Sequence, residues 1–133
     1  MTKTVYVTGG QGLIGKSVCV KFQSEGYNCV VLDVFNPENG ISEGVGFRAE
    51  SFDVSDANSL KKRINSFFQN SITKPDVWIN CAYPRTKKFG TSREGNLDHE
   101  DWCNNVDLQM SSTCLISSEV ARWMSKSGGG VIV

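Results

Sequence analysis

Val5-Tyr6-Val7-Thr8-Gly9-Gly10-Gln11-Gly12-Leu13-Ile14-Gly15 is the stretch on which the reading of this chain turns. A short β-branched and aromatic run stops at a glycine cluster. Beyond it, Ile14, Val18 and Phe22 recur at helical spacing within a helix predicted from Leu13 to Glu25. Gly10, Gly12 and Gly15 fit GxGxxG, while Gly9, Gly12 and Gly15 fit GxxGxxG. A strand that turns through glycines into a helix presents bare backbone N–H groups to an anion. One glycine makes the turn, one admits a pyrophosphate and one lets helix and strand pack closely. Asp33 ends the next strand eighteen positions past Gly15, where an acidic residue about twenty positions on can accept from ribose hydroxyls. The pattern predicts a dinucleotide site. A 2′-phosphate beside the Asp33 carboxylate would be repelled by about one to a few kcal/mol. No lysine or arginine lies in the glycine turn or directly after Asp33, so NAD is expected over NADP.

Outward from that stretch the pattern alternates strand and helix. Gly26 closes the first helix. Asn28–Asp33 is nearly all apolar, as a strand buried on both faces should be. Residues 34–46 are rich in turn formers, and a third strand is predicted from Phe47 to Asp53. Ser55 or Asp56 can cap a helix whose apolar face is Ala57, Leu60, Ile64, Phe67 and Phe68. Pro75-Asp76 precedes a fourth strand, Val77–Asn80, and a polar loop with Arg85, Lys87 and Lys88 runs to about Asn96. The longest helix is predicted from Asp98 to Ser127, with Asp98 as N-cap, Glu100 and Asp101 in its first turn, and Leu97 and Trp102 as a hydrophobic staple. Its continuous face is read as Val106, Met110, Cys114, Ser117, Ala121 and Met124. Gly128-Gly129-Gly130 ends it and Val131–Val133 opens a fifth strand. This order predicts an α/β fold with a doubly wound parallel sheet of Rossmann type, of which residues 1–133 form the N-terminal part.

Composition narrows the class. The 133 residues are 39% apolar and 21% charged with only three prolines, a mix that fits one globular domain and excludes disorder, collagen-like repeats and coiled coil. Fourteen basic residues balance fourteen acidic ones, leaving no field for nucleic acid or an anionic membrane. No run approaches the roughly eighteen apolar residues of a membrane span. Five cysteines without a CxxC spacing, and His99 as the one histidine, argue against both a metal site and a disulfide framework. A reduced, cytoplasmic protein is expected, its cysteines acting as small buried hydrophobes.

Thr8 to Gly15, Asp33, Asp53-Val54 and Asn80-Cys81-Ala82 together resemble the short-chain dehydrogenase/reductase family over essentially the whole chain. The glycine spacing is similar to that of its extended branch, which includes nucleotide-sugar epimerases and dehydratases. Asn80 to Arg85 and Asn105 to Met110 resemble a bacterial subgroup of flagellin-modification oxidoreductases. The resemblance implies that the glycine turn, with Gly9, Gln11, Gly12, Leu13, Ile14 and Gly15, holds the cofactor. It implies that Asp53 and the backbone at Val54 contact the adenine, the carboxylate accepting from its exocyclic amine. Asn80 would brace the central sheet, and Ala82 would let backbone approach the adenosine ribose. Cys81 and Tyr83 depart from the usual Asn-Asn-Ala-Gly, and the tyrosine bears on the cofactor's path. Asp107 stands where most members carry a catalytic-helix asparagine.

The family's chemistry uses a serine and a Tyr-x-x-x-Lys beyond the fifth strand. Tyr83-Pro84-Arg85-Thr86-Lys87 has that spacing, but Tyr and Lys share a face only on a helix, and Pro84 opposes one there. No catalytic residue is therefore expected within residues 1–133, which read as an NAD-binding half-domain truncated before the catalytic region. The expectation for the parent protein is an NAD-dependent oxidoreductase acting on a small-molecule carbinol or carbonyl, with sugars or nucleotide sugars as a candidate class. Members commonly pair through the long helix, so a homo-oligomer is a further expectation. The alternatives are a non-catalytic NAD-binding regulatory module and an inactive fragment.

Overall fold

The computed structural model describes residues 2–34, 47–70, 73–89 and 98–133. The turn-rich stretch from Phe35 to Gly46 and the proposed staple residue Leu97 lie outside them. The elements follow the predicted order: β1 (Thr4–Thr8), α1 (Leu13–Ser24), β2 (Asn28–Asp33), β3 (Phe47–Ser51), α2 (Ala57–Asn70), β4 (Val77–Asn80), α3 (His99–Lys126) and β5 (Val131–Ile132). β3 ends two residues earlier than expected, and its last ladder bond is Phe52 N donating to the Asp33 carbonyl at 2.9 Å, where β2 also ends.

The five strands form one sheet in the order β3-β2-β1-β4-β5, every neighbouring pair parallel. Strand order reverses at β1, whose neighbours are β2 and β4. In an open parallel sheet such a reversal leaves a crevice at the carboxyl ends of the strands. The register places Thr8 opposite both Leu32 and Asn80, bringing the ends of β1, β2 and β4 to one edge.

Alternation along the strands sorts the core into two layers. Tyr6, Val30, Leu32 and Trp78 face α2 and α3, where Leu60, Ile64, Phe68, Ile116, Val120 and Met124 close over them. Val5, Val7, Cys29, Val31 and Ile79 face the side of α1, which contributes Cys19 with Val18 and Phe22 half-buried. Helices on both faces make the sheet doubly wound, as expected. The predicted inward face of α2 is the observed one, and Asp56 is its cap, its carbonyl accepting from Leu60 N at 3.1 Å.

Two helix faces differ from expectation. On α3 the buried residues are Asn105, Ser112, Ile116, Glu119, Val120 and Met124. Of the face read from the sequence only Met124 is buried, whereas Val106 and Met110 are 41% and 60% exposed. The buried seam contains polar side chains whose partners lie elsewhere in the fold, which a hydrophobic period does not register. On α1, Ile14 is turned outward, and Gly15 and Cys19 take the inward positions. The cysteines divide likewise: Cys19 and Cys29 are buried and Cys81 is partly so, while Cys103 and Cys114 are exposed, against the expectation of buried hydrophobes. All five are free thiols.

Candidate functional site

Three turns at the carboxyl edge of the sheet enclose a cleft of about 1000 Å³, at the upper end of roughly 300–1000 Å³ for small-molecule sites. They are the glycine turn after β1, the Phe52–Ser55 turn after β3, and the segment after β4. Every residue singled out as a cofactor contact lines this cleft: Gly9, Gln11, Gly12, Leu13, Ile14, Gly15, Asp33, Asp53, Val54, Ala82 and Tyr83.

Each glycine of the first turn has a distinct constraint. Gly9 has φ +65°, and its N–H donates to the Leu32 carbonyl at 2.7 Å, tying the turn to β2. A Cβ there would also lie 2.6 Å from the Ala82 Cα. At Gly15 a Cβ would lie 2.2 Å from the Gly9 carbonyl oxygen, so α1 reaches the turn only because Gly15 has no side chain. Gly12, the N-cap of α1, meets only the Gly9 oxygen at 3.2 Å and otherwise faces open space. No side chain caps the helix and no acidic residue stands in its first turn. Its leading N–H groups and the positive end of its dipole therefore suit an anion. The fit to a pyrophosphate is good: a Cβ at Gly12 would occupy the space an incoming phosphate needs.

The Asp33 carboxylate lies beside this turn. Its Oδ2 accepts from Gln11 N at 2.8 Å and its Oδ1 from Val34 N at 2.8 Å. A carboxylate has about four lone-pair sites, so both oxygens retain capacity for ribose hydroxyls. Nearby, the Gln11 side-chain Nε2 is buried without a hydrogen-bond partner among the described residues, a donor that a bound ligand could satisfy. In the β3–α2 turn, Asp53 Oδ1 accepts from Ser55 N at 2.8 Å.

Beyond β4, Cys81 N donates to the Thr8 carbonyl at 3.1 Å and Ala82 N to Thr8 Oγ1 at 3.3 Å, sewing this segment to the glycine turn. Sequence spacing assigns Thr8 no role of its own, yet its buried hydroxyl supplies this link. Tyr83 stands at the rim, 54% exposed, with its ring 6.1 Å from that of Phe89, which in turn stacks on Trp102 at 6.5 Å. Thr86 N donates to Asn105 Oδ1 at 3.1 Å, so α3 steadies the same segment. Residues 81–86 form no helix, and Tyr83 and Lys87 share no helical face.

Asn80 braces the sheet as the resemblance implied. Its amide donates to Ser117 Oγ and to the Val133 carbonyl, both at 3.2 Å, and its oxygen accepts from Trp78 Nε1 at 3.0 Å. Asp107 is exposed, accepts from Ser111 Oγ at 3.1 Å and does not line the cleft. Burial, with the Cys19 thiol alongside, raises the pKa of Cys81, which opposes its use as a nucleophile. Among the described residues no group of three or more His, Cys, Asp or Glu is placed to hold a metal, and no helix is long and apolar enough to cross a membrane.

Comparison with known proteins extends these observations. A family model described as short chain dehydrogenase matches residues 3–133. The post-translational flagellin modification protein A of Campylobacter coli is 25% identical over 138 residues, covering 98% of this chain and 54% of that protein. A short chain dehydrogenase from Leptospira borgpetersenii, solved with bound NAD+, matches with a TM-score of 0.75 at 24% identity, covering 99% of this chain and 50% of that one. ElxO, solved with NADPH bound, matches with a TM-score of 0.74 at 21% identity, covering 99% and 54%. The two structural matches establish the fold, and the chain spans about half the length of the relatives it matches.

Proposed function

The chain belongs to the short-chain dehydrogenase family, and from that premise we propose that its cleft holds the adenosine-diphosphate half of a nicotinamide dinucleotide. The observation that carries this reading is Gly12, open to the cleft at the uncapped N-terminus of α1. The backbone N–H groups there would hold the phosphates, the Asp53 carboxylate and the Val54 backbone the adenine, and Asp33 the ribose. A bound nicotinamide supplies hydride exchange, and these residues supply the binding that makes it possible.

For the protein as a whole the proposed activity is hydride transfer to or from a carbinol or carbonyl carbon of a small molecule. Sugars or nucleotide sugars are the candidate class, on the likeness of the Gly9, Gly12 and Gly15 spacing to the family's extended branch. Trp102, Val106 and Met110, exposed at i, i+4 and i+8 on α3, offer an apolar stripe for a second copy of the chain. Free thiols suit a reducing compartment such as the cytoplasm.

A fluorescence titration of the chain with NADH, with NADPH in parallel, tests the reading. Saturable, NADH-selective binding is expected, and no binding by a folded chain overturns it. The preference for NAD over NADP rests on Asp33, whose charge a 2′-phosphate would approach. Asp33→Ala is expected to lower the NADH:NADPH affinity ratio by about tenfold or more, the equivalent of roughly 1.4 kcal/mol or more. An unchanged ratio would make Asp33 a turn-capping acid only.

A further inference from the structure

The Phe52–Ser55 wall of the cleft is held from behind by side chains that do not line it. The Arg63 guanidinium, on α2, donates through Nη1 to the Asp53 carbonyl, and its Nη2 donates to Ser59 Oγ at 3.0 Å. The Ser112 hydroxyl, on α3 and 2% exposed, donates to the Val54 carbonyl at 2.8 Å. It also reaches the Leu108 carbonyl at 2.6 Å, the back-bond common to helical serines. The contact to Val54 crosses 58 positions of chain and joins α3 to the turn between β3 and α2. Consecutive carbonyls of one turn are thus gripped from two different helices, while the Asp53 carboxylate is turned by Ser55 N.

We propose that Arg63 and Ser112 are positioning residues for adenine recognition, fixing the Asp53 and Val54 peptide groups so that the Asp53 carboxylate meets the exocyclic amine. This rests on the reading of the cleft as an adenine-nucleotide site. Arg63 neutralises no phosphate in this role, and Ser112 touches no ligand. Their effect is transmitted through the backbone they hold. A wall released at either carbonyl would still accept a nucleotide on the glycine turn, but would lose its ability to tell adenine from a base lacking the amine.

The test compares ADP with IDP, whose hypoxanthine has no exocyclic amine, by calorimetry on the full chain. The wild-type chain is expected to favour ADP. Ser112→Ala and Arg63→Ala should each weaken ADP binding by about threefold to tenfold, as loss of one hydrogen bond implies. IDP affinity should change little, so the ADP:IDP ratio falls toward one. Ser112→Thr, which keeps the hydroxyl, should restore the ratio. Arg63 is only partly buried, its side chain 34% exposed, so its variant remains informative if the buried Ser112→Ala does not fold. Folded variants with the wild-type ratio, or a wild-type chain that binds ADP and IDP equally, overturn the proposal and leave the cofactor site standing. A wild-type chain that binds neither nucleotide overturns both.

Discussion

Gly15→Ala is expected to weaken dinucleotide binding severely and to destabilise the chain at the same time. The new Cβ would lie 2.2 Å from the Gly9 carbonyl oxygen and 2.8 Å from the Gly10 Cα, both backbone atoms that have no flexible end to yield. Relief requires α1 to move away from β1, and that carries Gly12 and the leading N–H groups out of register with the turn. Overpacking of this kind costs about 1–3 kcal/mol of stability. A displaced phosphate cradle should lower NADH affinity by roughly 100-fold or more, about 2.7 kcal/mol. Gly26→Ala is the control. Gly26 has φ +81°, but a Cβ added there would meet nothing within 4 Å, so it should lose about 1–2 kcal/mol through left-handed strain alone. NADH titrations and urea midpoints of both variants separate the two effects. Wild-type affinity in Gly15→Ala would place the phosphates away from this turn.

Trp78→Ala should be the most damaging change in the core. Trp78 is fully buried on β4, stacked on Tyr6 at 5.8 Å with rings 12° apart and 5.9 Å from Phe68. Its indole N–H also donates to Asn80 Oδ1, so its loss leaves a cavity and frees one member of the bracing network. Truncating a buried tryptophan costs about 3–5 kcal/mol, against a total of about 5–15 kcal/mol for a domain. The urea midpoint should fall sharply, or the chain should lose its cooperative transition altogether. Trp78→Phe, which keeps a ring, should recover most of the difference. A midpoint unmoved by Trp78→Ala would contradict the packing of this layer. Because Asn80 and Thr8 link this layer to the cleft floor, NADH binding should fall with stability in the alanine variant.

Much of the cleft was legible because its constraints are local. Gly9, Gly12 and Gly15 fall between a strand pattern and a helix pattern, and Asp33 stands at the expected distance along the chain. Asp98 caps α3 as read, its carboxylate accepting from Glu100 N at 2.8 Å, because a cap is satisfied by the next three residues. The α2 face was legible because Leu60, Ile64 and Phe68 are apolar and regularly spaced.

The inward face of α3 was not. Asn105, Ser112 and Glu119 belong to it because Thr86 N, the Val54 carbonyl, and Lys61 with Arg122 meet them there. A polar side chain is buried where it finds a partner. The first two of those partners lie 19 and 58 positions away, beyond any helical period. The same holds for Thr8, whose hydroxyl ties the glycine turn to Ala82 across 74 positions.

What the amino-acid order determined by itself was therefore the succession of strands and helices, the parallel sheet and the turn at Gly12 with no side chain to fill it. These follow from sterics and periodicity within a few residues of chain. Only the tertiary structure decided which side of α3 is buried, that Ser112 and Arg63 hold the Asp53 and Val54 carbonyls, and that Val106 and Met110 are left to solvent. Those outcomes depend on hydrogen bonds between groups remote in sequence, and such bonds exist only once the sheet has brought their elements together.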